Sequence, residues 1–316
     1  MNRKTSIVVT PEGVISSISP STMVVRAAAR SQRSQYALLW RILTFSLRVR
    51  WKRAVLFWCR FAANPLLTIR WWRFTAAFAA ARELPLPHDE LLQKPLSKFL
   101  VHGMPNARRL SLLIEHFSIA EVIFSRDSMT RLWRGEWLEM GLVQGRSEAY
   151  ACCIALADRS GGRHEGAFAI KLLRVSDQAL LCTARFTFVN QGMEGRYTFV
   201  VGSMQGPRNA KQRIVEVTRD LAGLRPKEAI LIVLQGLAAE GGMQHFLAVS
   251  QARHPIQYRR RARQSMLLSN IDAFWLERSA EPEGVYGFRV PYSTILETDR
   301  RSQSKSWFYN IGELFH

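Results

Sequence analysis

Four side chains in this sequence could take or give a proton in a reaction: His164, Glu165, His254 and Asp272. Carboxylate and imidazole groups are the usual general acids and bases of enzymes. The same groups also cap turns or pair with arginine in structural roles, and that alternative stays open at each position. No residue set in the sequence declares a reaction by itself.

A second set of residues could hold a phosphate group. Backbone amides of a glycine-containing loop and the N-terminus of the helix that follows it both attract phosphate. Such a loop is predicted after the strand at 196–201. Its candidate ligands are Gln205, Gly206, Arg208, Asn209 and Ala210. Pro207 has no amide to donate, but Arg208 could compensate through its charge.

Basic residues at two further places could bind anions. One group lies in the turn at 223–227, and the other follows the strand predicted at 244–250. The residues are Arg225, Lys227, Arg253, Arg259, Arg260, Arg261 and Arg263. In the first group, the alternative is that the side chains cap carbonyls of the preceding helix. In the second, the alternatives are a site for phosphate-bearing ligands, RNA included, and a solvated helix face.

One run of secondary structure positions most of these residues. The strand at 196–201 is followed by the loop, an amphipathic helix that ends at Gly223, a second helix that begins at Pro226, and the strand at 244–250. Apolar residues recur at helical spacing in both helices. The order predicts a crossover unit over a sheet, with the loop at the carboxyl end of a strand.

The rest of the chain predicts an α+β (mixed α/β) fold, with a helical region before a mostly antiparallel mixed sheet that carries helices. Helices are predicted over 36–63, 66–83, 89–101, 106–120 and 271–275. From residue 128 the pattern changes to strands, predicted over 146–157, 165–173, 179–190, 195–202 and, near the end, 287–291. Short turns make consecutive strands antiparallel neighbours. The predicted segments are a loosely structured N-terminus at 1–35, a helical region at 36–125, the sheet domain at 126–300 and a C-terminal tail at 301–316.

The charge of the chain is concentrated near its N-terminus. The net charge is +19, and twelve basic residues but no acid lie between Glu12 and Glu83. Five of the nine tryptophans lie in the same interval. A basic, Trp-rich helix can lie on an anionic membrane surface or contact nucleic acid, and the alternative is a helical cap with a solvated basic face. No apolar run reaches the roughly 18 residues that a transmembrane helix needs, and no nucleic-acid motif is visible.

The four cysteines, Cys59, Cys152, Cys153 and Cys182, have no metal-binding or redox spacing. They are expected to be buried reduced thiols, as in a reducing compartment. No secretory signal precedes them. These features favour a cytoplasmic protein, with attachment at the periphery of the inner membrane as the alternative for the basic region.

Several short motifs, in their order and spacing, resemble the VirK/YbjX family of bacterial proteins over roughly residues 65–295. They are His164-Glu165-Gly166, Val201-Gly202 with Gln205-Gly206-Pro207, Gly223-Leu224-Arg225-Pro226-Lys227, Leu247 to Ser250 with His254, Asp272-Ala273-Phe274-Trp275, and upstream Arg109-Leu110 with His116-Phe117. Two positions depart from the family pattern. Ile271 stands where the family usually has Tyr, and the family's basic, tyrosine-rich C-terminal motif is blurred into Arg300-Arg301 and Trp307-Phe308-Tyr309.

The VirK/YbjX resemblance implies a biological setting but no reaction. The family has no established molecular function. Its members are associated with virulence-factor expression, resistance to antimicrobial peptides, envelope remodelling and the DNA-damage response. A non-enzymatic accessory protein, acting at the membrane face or on nucleic acid, is therefore one hypothesis.

The strand–loop–helix–strand unit is also similar to the cofactor-binding core of the N-acetyltransferase superfamily. In that superfamily the loop amides and the helix N-terminus hold the pyrophosphate of coenzyme A. The resemblance implies coenzyme A or acyl-CoA as cofactor, held by the loop that begins at Gln205. The usual loop has Gly at the position of Arg208, which is a departure from its pattern. An acyltransferase-like enzyme is the second hypothesis.

Overall fold

The computed structural model describes residues 36, 37, 40, 43, 44, 51–84, 89–192, 195–258, 270–294 and 300–315. The predictions for residues 1–35 and for Arg259, Arg260, Arg261 and Arg263 lie outside these residues. The chain divides into two compact units, residues 1–92 and residues 93–316.

The first unit is helical, as predicted. Its helices are α1 (Trp51–Ala63), α2 (Pro65–Arg82) and α3 (Asp89–Leu92). Pro65 occupies the first turn of α2, where its missing amide N–H costs nothing. The Phe57 and Phe61 rings of α1 stack on Trp72 of α2, with ring centroids 6.4 and 5.5 Å apart. These aromatic contacts hold the two helices side by side.

The second unit is built on an eight-stranded sheet. The strands are β1 (Leu138–Gln144), β2 (Ala149–Leu156), β3 (Phe168–Arg174), β4 (Leu180–Asn190), β5 (Tyr197–Gln205), β6 (His245–Val249), β7 (Glu281–Glu283) and β8 (Gly287–Pro291). Their order is β1-β2-β3-β4-β5-β6-β8-β7. Within the described part of the chain, β5 and β6 are parallel and the other neighbours are antiparallel. The predicted mostly antiparallel mixed sheet is confirmed.

Helices accompany the sheet. They are α4 (Asn106–Ile123), α5 (Arg126–Trp133), α6 (Lys211–Asp220), α7 (Pro226–Leu237), α8 (Ile271–Leu276) and α9 (Arg300–Glu313). α4 packs on β4, and α7 packs on β3 and β4 and against α9. The predicted α+β fold is therefore confirmed.

The predicted crossover unit is present as β5, α6, α7 and β6. Gly223 adopts φ +92°, the left-handed conformation that favours glycine after a helix end. Pro226 is the first residue of α7, as predicted. Because β5 and β6 are parallel, both strands direct their carboxyl ends to the same edge of the sheet.

The sequence predictions of secondary structure were wrong or incomplete at several places. The helix predicted at 89–101 stops at Leu92, because Pro95 removes a helical hydrogen bond and only a short 3₁₀ turn, Lys94–Leu96, follows. Residues 126–133 form helix α5, whereas the strand pattern was predicted to begin at residue 128; the Ser125 side chain caps this helix by accepting a hydrogen bond from the Ser128 N–H. Strand β1 was missed because its sequence, LEMGLVQ, contains a glycine and few β-branched residues.

Aromatic side chains fill much of the core of the second unit. His116 lies among them, with ring centroids 4.5 Å from Phe168 and 5.5 Å from Phe188. Its Nδ1 accepts a hydrogen bond of 3.0 Å from the Phe188 backbone N–H. Burial, together with the positive charge of Lys94, holds the pKa of His116 well below its usual range. The apolar residues around His116 in the sequence predict such a buried structural histidine rather than a metal ligand.

The cysteines differ in exposure. Cys152, Cys153 and Cys182 are buried, as predicted, whereas Cys59 is exposed on α1. Burial raises the pKa of the Cys182 thiol to about 12, so this thiol is unreactive at neutral pH. The prediction of burial was wrong for Cys59 because its position on α1 faces away from the packed side of that helix.

Candidate functional site

A bulge in β5 lies beside Glu165, one of the residues predicted from the sequence. Pairing with β4 shifts between Arg185, which faces Ser203, and Phe186, which faces Val201. The extra residue is Gly202, and a Cβ there would lie 1.8 Å from the backbone oxygen of Glu165. The loop that carries Glu165 therefore lies directly on the bulge, and only glycine permits that approach.

The Glu165 carboxylate is held by side chains from both strands at the bulge. Its Oε2 accepts hydrogen bonds of 2.9 Å from Arg185 Nη1 and 2.7 Å from Ser203 Oγ. The Arg185 and Glu165 side chains are only 8 % and 19 % exposed. A paired carboxylate and guanidinium satisfy each other at this depth, where a single charge would be costly.

Arg185 is fixed by further contacts. Its Nε donates to Ser160 Oγ at 2.9 Å and its Nη2 to the Ser160 carbonyl at 2.8 Å. A Cβ at Gly162 would lie 1.8 Å from Arg185 Nε, so the loop closes tightly over the guanidinium. The arginine thus joins the loop at 160–165 to the surface of the sheet.

His254 reaches the same carboxylate from the segment after β6. Its Nε2 lies 3.9 Å from Glu165 Oε1. Its Nδ1 accepts a hydrogen bond of 3.1 Å from the Ile256 backbone N–H, so a neutral ring carries its proton on Nε2, toward Glu165. Glu165, Arg185, Ser203 and His254 form what we call the Glu165 cluster.

The other two predicted acid–base residues hold the surrounding loops. His164 Nδ1 lies 2.7 Å from the Lys98 carbonyl oxygen and donates to it. Asp272 Oδ1 accepts a hydrogen bond of 2.7 Å from the backbone N–H of Gln251, just after β6. Each of these two side chains therefore makes a hydrogen bond to the backbone of a neighbouring segment.

The predicted phosphate-binding loop follows β5 directly. β5 ends at Gln205, and α6 begins after Ala210, with Asn209 at φ +55°. No side chain caps the N-terminus of α6 within the described part of the chain. Gln205, Gly206, Arg208 and Asn209 are exposed, and Ala210 is half-buried. The first turn of α6 contains no acid and begins with the exposed Lys211, so this edge is basic and open.

The far end of α6 is anchored to the turn between β1 and β2. Asp220 Oδ1 accepts from the Ser147 hydroxyl at 2.6 Å, and Oδ2 accepts from the Tyr150 hydroxyl at 2.8 Å. Burial acts to raise the pKa of Asp220, but the hydrogen bonds from Ser147 and Tyr150 outweigh it and lower that pKa. The helix behind the loop is therefore held at its C-terminal end.

The described anion-binding candidates each contact another part of the chain. Arg225 pairs with Glu277 at 3.5 Å, and both side chains are exposed. Lys227 Nζ lies 5.1 Å from the centroid of the Phe274 ring. Arg253 donates from Nη2 to the Gly284 carbonyl at 3.2 Å.

Sequence reasoning missed Arg185 and Ser203. A signal for Arg185 was present, because it is the one charged residue in the largely apolar strand LLCTARFTFVN. Sequence reasoning also missed a buried ion pair between Lys94 and Asp158. Its N–O distance is 3.0 Å, and both side chains are 1 % exposed. Ser203 had no signal, since its role depends on the register of β4 against β5.

The described residues include neither a cluster of metal ligands nor a membrane-spanning helix. No three His, Cys, Asp or Glu side chains among them are grouped so that they could hold a metal ion. None of the helices in that part of the chain has both the length and the apolar character needed to cross a bilayer.

The fold and site define a mixed α+β protein with a basic loop and a buried polar cluster at the carboxyl ends of two parallel strands. The family model described as "Protein of unknown function (DUF535)" matches residues 47–302, and the chain belongs to this family. DUF535 is the VirK/YbjX family, so the resemblance is confirmed at the level of the family. No curated protein and no solved structure matches the chain.

Proposed function

We propose that this protein binds the phosphates of an acyl-coenzyme A at the loop that begins at Gln205 and transfers the acyl group to an amine. The observation that carries the proposal is the position of the site. The basic loop and the Glu165 cluster both lie near the carboxyl ends of the parallel strands β5 and β6, the edge at which α/β sheets commonly bind ligands.

The phosphate end of the proposed site is supplied by the loop and α6. The free amides at the N-terminus of a helix favour negative charge, and α6 has no acidic residue in its first turn to neutralise them. Arg208 and Lys211 are exposed there and could pair with phosphate oxygens.

The chemical end of the proposed site is the Glu165 cluster. When an amine attacks a thioester, the nitrogen loses a proton and the departing sulfur gains one. In this proposal Glu165 and His254 exchange that proton, and the distance of 3.9 Å between His254 Nε2 and Glu165 Oε1 supports it. Arg185 and Ser203 act as positioning residues, because they hold the carboxylate at the surface of β5.

Calorimetry with coenzyme A and acetyl-coenzyme A tests the cofactor proposal. We expect saturable binding that is lost in the Gln205→Ala, Arg208→Ala double variant. Arg196→Ala is the matched control, because it removes an exposed arginine at the opposite end of β5 and should leave binding unchanged. Absence of binding by the wild-type protein at millimolar ligand would rule the proposal out.

A non-enzymatic accessory role is the second candidate. The observation in its favour is that Glu165 Oε2 already accepts two hydrogen bonds, so the carboxylate has a structural partner in Arg185. In either case the biological setting that we propose is the one the VirK/YbjX resemblance implies: envelope stress, antimicrobial-peptide resistance, virulence-factor expression or the DNA-damage response in the bacterial cytoplasm. Mass spectrometry would detect acyl transfer to the amines of peptides or polyamines. Coenzyme A binding without such transfer would favour the accessory role.

A further inference from the structure

Helix α1 carries apolar side chains on two sides. On one side, Phe57 is 4 % exposed and packs with Phe61 on Trp72 of α2. On the other side, Trp51 and Val55 are one helical turn apart and are 70 % and 52 % exposed. The stripe continues through the exposed Cys59 and Ala62. An amphipathic helix in water normally exposes its polar side, so this exposed apolar stripe calls for a partner.

The exposed apolar surface extends beyond the stripe. Leu56 on α1 is 49 % exposed, and Leu66 at the start of α2 is 80 % exposed. Upstream, the helical residues Tyr36, Trp40 and Leu43 are 64 %, 70 % and 57 % exposed. Their spacing of i, i+4 and i+7 places them on one face of a helix.

Positive charge accompanies this apolar surface. The exposed Lys52 follows Trp51, and its Nζ lies 5.6 Å from the centroid of that ring. Arg60 lies farther along α1, and no acid occurs between Glu12 and Glu83. Cations beside exposed aliphatic and indole groups match an anionic phospholipid surface, where headgroups meet the cations and acyl chains meet the apolar groups.

The exposed aliphatic side chains favour lipid over nucleic acid as the partner of this surface. A nucleic acid would reward the tryptophans by base stacking and the basic residues by phosphate contact. It would leave Val55, Leu56 and Leu66 exposed to water, whereas the acyl boundary of a membrane would cover them.

We propose that α1 and the start of α2 lie in the interface of an anionic phospholipid membrane, with Trp51, Val55, Leu56 and Leu66 inserted at the headgroup–acyl boundary. This contact is independent of acyl transfer by the second unit. It would bring the protein to the membrane surface.

Co-sedimentation of the full chain with vesicles tests the proposal. The vesicles contain phosphatidylglycerol and phosphatidylcholine, or phosphatidylcholine alone. We expect binding to the anionic vesicles that is at least tenfold weaker in the Trp51→Ser, Val55→Ser, Leu56→Ser variant. Lys52→Gln should weaken binding about fivefold, the equivalent of about 1 kcal/mol for one basic residue at a membrane surface.

The matched control is the Val122→Ser, Leu276→Ser, Val285→Ser variant. It removes three apolar side chains that are 71 %, 59 % and 49 % exposed at other places, and it should bind vesicles as the wild-type chain does. Equal binding by the α1 variant and this control would overturn the proposal. So would RNA binding that depends on Trp51 in a protein that ignores the vesicles. Circular dichroism of each variant checks that the helices are intact. We expect no loss of helix, because the substituted side chains are exposed.

Discussion

Arg185 is the residue on which the Glu165 cluster depends, because its guanidinium contacts Ser160, Glu165 and Ser203. The Arg185→Leu variant leaves the Glu165 carboxylate poorly compensated in a site where it is 19 % exposed. Removing one partner of a buried ion pair costs about 3–5 kcal/mol, so we expect the free energy of unfolding to fall by that order. Urea unfolding followed by circular dichroism measures it.

The control for this prediction is an exposed pair. Arg131 and Glu136 are separated by 3.1 Å with side chains 48 % and 43 % exposed, and Arg131→Leu should change stability little. The Arg185→Leu, Glu165→Gln double variant should be more stable than Arg185→Leu alone. If Arg185→Leu were as stable as the wild type, Arg185 would have no part in holding the loop.

His116 makes stability depend on pH. Burial and then the charge of Lys94 lower the pKa of His116 well below its ordinary value of 6.5. Below about pH 6.5 the unfolded chain binds a proton that the folded chain does not, so stability falls as the pH falls. The expected slope is about 1.4 kcal/mol per pH unit, until the pH passes through the folded-state pKa.

Denaturant unfolding of the His116→Asn variant between pH 7 and 5 isolates this contribution. The Asn Oδ1 can replace Nδ1 as the acceptor for the Phe188 N–H but does not titrate. The pKa of His245 is also lowered, by burial and then by Arg289, and this residue titrates in both proteins. The difference between the two slopes therefore belongs to His116, and parallel slopes would contradict the assignment.

At the scale of elements, the bulge in β5 and the loop that crosses it depend on Gly202. The Gly202→Ala variant would place a Cβ 1.8 Å from the Glu165 backbone oxygen, and a backbone atom cannot move away as a flexible side chain can. We expect a loss of several kcal/mol in stability, together with a displaced Glu165. Thermal unfolding measures the first effect, and amide hydrogen exchange of residues 162–166 reports the second.

Gly206, four residues further along, is the matched control. A Cβ there would meet only the Leu181 carbonyl oxygen, at the ordinary contact distance of 3.5 Å. Gly206→Ala should therefore leave stability within about 0.5 kcal/mol of the wild type. Equal losses from the two alanine variants would mean that the close approach at Gly202 is not what requires glycine.

The crossover elements could be predicted from the sequence because their signals are local. Helical spacing of apolar residues in α6 and α7, Gly223 at a helix end and Pro226 at a helix start each require a particular backbone. The loop predicted to be a phosphate site is in the expected place for the same reason. Helix α5 and strand β1 were harder to predict, because a serine cap and a glycine-containing edge strand give weak local sequence patterns.

The Glu165 cluster could be predicted only in part. Glu165 and His254 were candidates by residue type, and the fold brings them within 3.9 Å of each other. Arg185 and Ser203 join them through the register of β4 and β5 and the bulge between those strands. Register is a long-range property, so a single sequence without an alignment could not reveal which buried side chains meet there.

At the scale of the whole chain, the C-terminal helix belongs to the packed structure of the second unit. α9 lies mostly beyond residue 302, where the family match ends, yet it packs along α7. A Cβ at Gly312 would lie 2.0 Å from the Val233 carbonyl oxygen, and one at Gly236 would lie 2.1 Å from that of Tyr309. Two glycines thus let the helix backbones meet.

In the Gly312→Ala variant, two effects of different size on stability oppose each other. Alanine favours a helix over glycine by about 1 kcal/mol, which alone would stabilise α9. The cost of the overlap with the Val233 backbone is larger, because α7 packs on β3 and β4 and cannot move aside cheaply. We therefore expect a net loss of stability of about 1–3 kcal/mol in urea unfolding.

The control is Gly284→Ala, which should be close to neutral because nothing lies within 4 Å of the new Cβ. A Gly312→Ala protein more stable than the wild type would show that propensity outweighs packing, and that α9 is less tightly held than its contacts with α7 imply.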